Sequence, residues 1–232
     1  MTSNHAFLTS KILLDKMACQ AQTMFVEMMI KDFGARVESV WEGLRPVTKK
    51  MLVGALQAKN ENTAISPAQK FSYDTQSDWE LSRLLSALDE QAKDTEVTNS
   101  PEKLSELQKL TETCISVLEA QSESAEVFIQ LAERALAKKD YKEIDRLADL
   151  LAERFSVGEM CEIARQTTNP AIRAIAMETI ALMPVEEIMP SLDDPIYEDI
   201  ARAALEMKAY EYESEEARRV LDHFGFDEML DD

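Results

Sequence analysis

The sequence predicts an all-α protein, with long N-terminal helices followed by stacked antiparallel helical hairpins of α-solenoid type. Three observations carry that reading. The 232 residues include only five glycines, while Ala, Leu, Glu, Lys and Met, which lose little on entering a helix, recur throughout. Apolar residues return at helical spacing in most segments. Asn169-Pro170 and Asp194-Pro195, 25 residues apart, each read as a helix start, with an oxygen-bearing side chain ahead of a first-turn proline. Behind Pro170 the apolar positions are Ile172, Ile175, Ala176, Thr179, Ile180 and Met183. Behind Pro195 they are Tyr197, Ile200, Ala201, Ala204 and Leu205, with Lys208 replacing the last apolar residue. A repeated helix that cannot bury its stripe alone stacks on its neighbours.

From Ala6 to about Phe33 the pattern predicts one long helix, with Phe7, Leu14, Ala21 and Met28 at seven-residue intervals and Met17 and Met24 between them. Ile12, Leu13, Phe25, Val26, Met29 and Ile30 widen this seam, so a buried or multiply packed helix fits better than a simple coiled coil. Gly34 ends it. A second helical stretch carries Val40, Trp41 and Leu44, breaks or kinks at Pro46, and resumes through Met51, Leu52, Ala55 and Leu56. Residues 59–77 lose the period and are read as a linker whose Phe71 and Tyr73 can dock on a neighbour. The organisation predicted is therefore an N-terminal helical region (1–58), a linker (59–77) and an acidic repeat-like domain (78–232).

Within the last of these, Leu81, Leu84, Leu85 and Leu88 mark one helix, and Ser100-Pro101 opens another with Leu104, Leu107, Leu110, Cys114, Val117 and Leu118. Phe128, Leu131, Ala132, Ala135 and Leu136 mark the next. Asp140 with Glu143, and Ser156 with Glu159, form capping boxes. The first leads into Ile144, Leu147, Ala148, Leu151, Ala152 and Phe155, the second into Met160, Cys161 and Ala164. Short connections favour antiparallel hairpins. A terminal helix from Ser214 to Phe224, stopped by Gly225, precedes an acidic tail.

The net charge of −19 is unevenly placed. Residues 1–75 hold nine Lys/Arg against seven Asp/Glu, and the remainder 16 against 37. Such a surface repels phosphate backbones, so nucleic acid is excluded as a partner and a basic partner fits. The plainer role of the acids is to keep helix faces solvated. Cys19, Cys114 and Cys161 fall at apolar helical positions without a CxxC pair, which fits a reducing compartment. Asp15 and Lys16 argue against a signal peptide. Glu27 and Lys31 interrupt the strongest apolar run, short of the roughly 20 residues of a membrane span. The expected location is cytoplasmic, and a membrane role is disfavoured.

Little here supports catalysis. Neither His5 nor His223 has a glutamate three residues before it, and the dispersed Cys and His give no close pairs for a metal. No glycine-rich phosphate loop, GxSxG elbow or dinucleotide fingerprint occurs. No cofactor, metal site or catalytic residue is therefore expected. The competing reading is a small-molecule enzyme or ligand carrier with a cleft between the N-terminal helices and the array.

The stretch Asn169-Pro-Ala-Ile-Arg173, followed by Ala176 and Ile180, resembles the first helix of a HEAT-type repeat. Asp194-Pro195 resembles a second copy, with Glu198 where that family has arginine. AERALAKKDYKEIDRLADLL, residues 132–151, resembles a tetratricopeptide hairpin, with Lys139 where glycine is usual. Together the resemblances span about residues 122–224 and imply protein binding; joined to the missing catalytic motifs, they give a non-catalytic interaction or scaffold protein as the expected function. Residues singled out for partner contact are Met24, Met28, Met29, Arg173, Tyr210 and Tyr212. The methionines suit an adaptable groove or act as core filler. Arg173 presents a guanidinium to a partner carboxylate or pairs with an acid inside the stack. The tyrosines meet a partner or cover a hairpin edge. Self-association through residues 6–33 is a further expected use of the long first helix.

Overall fold

The computed structural model describes residues 24, 26–60 and 73–225. Among them the regular structure is helical throughout, with no strand. The chain divides into two compact units, Met1–Ser122 and Glu123–Asp232.

In the first unit, α1 (residues 26–32) buries Val26, Met29 and Ile30, with Phe33 just beyond it. Gly34 follows with φ 98 and ψ 164, a region that essentially only glycine enters without strain. The expected long helix is described only in this last part; Phe7, Leu14, Met17, Cys19 and Ala21 lie outside the described residues. Helix α2 (Ala35–Gly43) buries Val37 and Trp41, and α3 (Pro46–Asn60) opens on its proline. Pro46 therefore makes a boundary between helices. Leu44 provides the extended residue between them.

Helix α4 (Thr75–Gln91) is capped by Asp74, whose carboxylate accepts the Ser77 N–H at 2.9 Å. Its Leu81, Leu84, Leu85 and Leu88 are all fully buried, as their spacing predicts. After the single turn α5 (Thr95–Thr98), α6 (Pro101–Gln121) buries Leu107, Leu110, Cys114, Val117 and Leu118, with Leu104 half-buried. Helices α2 and α3 both lie against α4, and α3 and α4 both lie against α6. Helices on the two sides of residues 59–77 thus share one core, and the spatial division falls at Ser122/Glu123. Loss of periodicity marks a connection, and a connection does not stop the helices it joins from packing. Of that stretch, residues 61–72, including Phe71, lie outside the described residues.

The second unit contains α7 (Ala125–Lys138), α8 (Tyr141–Arg154), α9 (Val157–Gln166), α10 (Pro170–Leu182), α11 (Val185–Leu192), α12 (Glu198–Tyr210) and α13 (Glu215–Phe224). Helix α7 ends in a Schellman motif. Asp140 N–H reaches Ala135 O and Lys139 N–H reaches Leu136 O, both at 3.0 Å, with Lys139 left-handed at φ 57. Asp140 then caps α8 through the Glu143 N–H at 3.2 Å, and Ser156 caps α9 through the Glu159 N–H at 3.2 Å. The expected capping box at Asp140 is only half made, because its own N–H goes to Ala135 O while the Glu143 carboxylate accepts from Arg146. Asn169 caps α10 through the Ala171 N–H at 3.0 Å, with Pro170 in the first turn.

The second proline behaves differently. Asp194 Oδ1 accepts the Ile196 N–H at 2.9 Å, closing a local turn, and α12 begins only at Glu198. The helix starts are therefore 28 residues apart, at Pro170 and Glu198. On α10 the buried face is Ile172, Ala176, Thr179 and Ile180, while Ile175 is half-buried. On α12 it is Ala201, Ala204, Leu205 and Ala209. Helices pack as α7 with α8, α9 with α10, and α11 with α12. In addition α7 lies on α9, α9 on α11, α8 on α10, α10 on α12, and α13 on α12. The last helix buries Ala217 and Leu221, while Phe224 of its expected stripe is exposed; Gly225 ends it in the left-handed region at φ 69.

Candidate interaction surface

The residues singled out for partner contact fall in both units and differ in exposure and role. Met24 and Met28 are 70 % and 62 % exposed, whereas Met29 is buried at 6 %. Helical geometry separates them: Met29 shares the core face with Val26, Ile30 and Phe33, and the other two point away.

Arg173 is committed to its own unit. Its Nε donates to Ala164 O at 3.1 Å and its NH2 group to Thr167 O at 3.0 Å. These carbonyls belong to the end of α9, where the helix leaves acceptors unpaired and carries partial negative charge. The guanidinium thus closes one helix from the first turn of the next, a backbone role that neither sequence reading specified. Lys208, the polar break in the α12 stripe, does the same for α10 by donating from Nζ to Ala181 O at 2.9 Å.

Tyr210 and Tyr212 lie at the end of α12, 54 % and 42 % exposed. Burial raises the Tyr212 phenol, and Glu178 and Glu211 beside it raise it further; Glu178 shares a hydrogen bond with it. Glu178 stands on the last part of α10, one turn before exposed Leu182. The C-terminal ends of α10 and α12 therefore lie side by side, as the Lys208 bond to Ala181 also requires. The Tyr212 ring and the Glu178 and Glu211 carboxylates meet there, beside the Lys208 ammonium that closes the end of α10.

A second acidic focus surrounds Glu162. Its carboxylate accepts from Arg165 at 2.6 and 2.7 Å, from Gln166 at 2.5 Å, and from the Tyr197 hydroxyl at 3.1 Å. The Arg165 bonds are the main reason its acid is held down at about 2. Neighbouring Glu159 is pushed the other way, first by burial and then by Glu162, Glu123 and Glu126, although it accepts the Ala125 N–H at the start of α7.

The first unit contains a polar cluster that the sequence reading missed. Glu80, 2 % exposed, accepts the Arg45 backbone N–H at 3.2 Å and Arg45 Nε at 3.0 Å, and also bonds the Thr48 hydroxyl. Arg45 grips Asp74 with its other two nitrogens at 2.9 and 2.6 Å. Bonding to Arg45 holds the Asp74 carboxyl well below the usual carboxylate range, and bonding to Asp74 holds the Arg45 guanidinium above its ordinary value. One arginine thus ties the start of α3 to the start of α4. The signal available in sequence was Glu80 itself, an acid one turn ahead of Leu84 on the buried face. Trp79, exposed beside it with Arg83 stacked at 4.5 Å from the ring centroid, was also not singled out.

No family model, curated protein or solved structure matches this chain. Among the described residues no helix is long and apolar enough to cross a membrane, and no group of three His, Cys, Asp or Glu side chains is placed to hold a metal ion.

Proposed function

We propose that the Glu123–Asp232 unit is a helical-repeat module that binds a positively charged segment of another protein and catalyses no reaction. The repeat reading is supported by the order of neighbours. Alternate helices lie on one another, α7 on α9 on α11 and α8 on α10 on α12, while consecutive pairs form hairpins. That arrangement is expected of stacked hairpins that cover one another's apolar faces. The partner's charge is supported by composition, since this unit holds 12 Lys/Arg against 27 Asp/Glu.

The observation that carries the reading is Tyr212 standing beside the Glu178 and Glu211 carboxylates just past the end of α12, the helix that ends on exposed Tyr210. Ring faces attract Lys and Arg, carboxylates pair with them, and the C-terminus of α12 favours the same sign. The test is fluorescence anisotropy of Lys/Arg-rich and Asp/Glu-rich peptides with the full chain at low and high salt. The basic peptides should bind, weaken with salt, and lose about tenfold in affinity with Tyr210→Ser/Tyr212→Ser, equivalent to ~1.4 kcal/mol. Equal binding of both peptide types, or indifference to the tyrosines, would reject the proposal.

A further inference from the structure

Glu178 and Leu182 stand one turn apart on α10, both exposed, Leu182 at 60 %. Four residues advance an α-helix by about 6 Å and return it to nearly the same face, so the two side chains share one strip. Ala174, also exposed, continues that strip one turn earlier. The two ends of the strip differ in charge. Tyr212 shares a hydrogen bond with Glu178, and Glu211 adds a second carboxylate beside the phenol. At the other end Lys208 Nζ donates to the carbonyl of Ala181, the residue before Leu182. An acidic spot with an aromatic ring thus leads, within one turn, to an exposed aliphatic side chain with an ammonium beside it.

That order says what covers the strip. An apolar side chain of a partner takes Leu182 out of water. A partner cation is repelled by Lys208 at that end and paired by Glu178 at the other, with the Tyr212 ring next to it. The partner's two complementary groups then stand about 6 Å apart, the rise of one helical turn. The main-chain groups of α10 are used within the helix, so an extended segment finds no ladder to join there. A helix satisfies its own main chain and needs none. Resting on the basic-segment reading above, we infer that the segment bound is an amphipathic helix carrying Lys or Arg four positions from a large aliphatic residue.

Fluorescence anisotropy of the full chain with two labelled peptides tests this, the pair matched in composition, charge and helicity. One sets its Leu and Lys residues four positions apart on one face; the other sets them two positions apart, on opposite faces. The first should bind at least about tenfold more tightly. Leu182→Ser and Glu178→Gln should each abolish that preference, whereas Ile196→Ser, at a 62 % exposed residue between α11 and α12, should keep it. Melting of all three variants should match the native chain, because each side chain is exposed. Equal binding of the two peptides, or a preference that survives Leu182→Ser, overturns the inference and leaves the basic-segment reading standing. Failure of every basic peptide to bind rejects both.

Discussion

Glu162 holds four hydrogen bonds from three side chains, and their effect on its acidity gives the second unit a pH signature. Its folded value of about 2 lies below the ordinary 4.5. A depressed carboxyl contributes stability that is complete above the ordinary value and disappears as pH falls through the folded one. The melting-temperature advantage of the native chain over Glu162→Gln should therefore be full at pH 7 and close between about 4.5 and about 2. A gap that persists at pH 2 would show the carboxylate charge to be irrelevant. Lys139 gives an opposite opportunity. It occupies the left-handed residue of a Schellman motif at φ 57, where a side chain costs about 1 kcal/mol and glycine does not. Lys139→Gly should raise the melting temperature of the second unit by roughly 4–8 °C per kcal/mol gained, measured by calorimetry. The gain falls short of the full backbone difference because glycine also enlarges the unfolded ensemble. The lysine is legible in sequence as a departure from the tetratricopeptide pattern, and its backbone conformation accounts for why glycine is usual there.

Helix starts and stripes were the most legible features, because both are local. Asn169-Pro170, Asp140, Ser156 and Ser214 cap with their side chains, whereas Ser100 ahead of Pro101 makes no side-chain cap bond; the Leu81 to Leu88 stripe is buried completely. Asp194-Pro195 misleads because the same aspartate that can cap a helix also closes a turn of its own. The preference of the following residues then delays α12 to Glu198. Contacts between helices were legible only as types of residue. Arg173 was visible as a cation near a helix start, but its targets are carbonyls nine and six residues back in sequence, and no side-chain pattern marks them. Charged donors to otherwise unpaired helix-end acceptors contribute about 1.5–3 kcal/mol, reduced here because the side chain is largely exposed. Arg173→Ala should accordingly cost about 1–2 kcal/mol in urea unfolding, with Arg173→Lys between the two. An unchanged midpoint for Arg173→Ala would return this residue to the pool of partner contacts.

Long-range charge acts in two opposing ways across the second unit. Its ion pairs are mostly surface pairs three residues apart, Arg146 with Glu143, Arg165 with Glu162, Arg202 with Asp199 and Arg218 with Glu215. Each contributes only a few tenths of a kcal/mol, which salt removes. Against them stands the repulsion of 27 acids held with 12 basic groups in 110 residues, which salt relieves. Repulsion is the larger effect, so adding sodium chloride should raise the melting temperature. A fall would mean that the pairs dominate. The division of the chain at Ser122/Glu123 was not legible, since contacts between α3, α4 and α6 cross the unpatterned stretch. Gly34 has a quieter consequence. With φ 98 and the Gln91 amide oxygen 3.3 Å from where a Cβ would stand, no other residue fits between α1 and α2 without strain. The bearing of the first helix is thus built into the main chain. Exposed Met24 and Met28 are thereby held on the side of the chain turned away from Val26, Ile30 and Phe33.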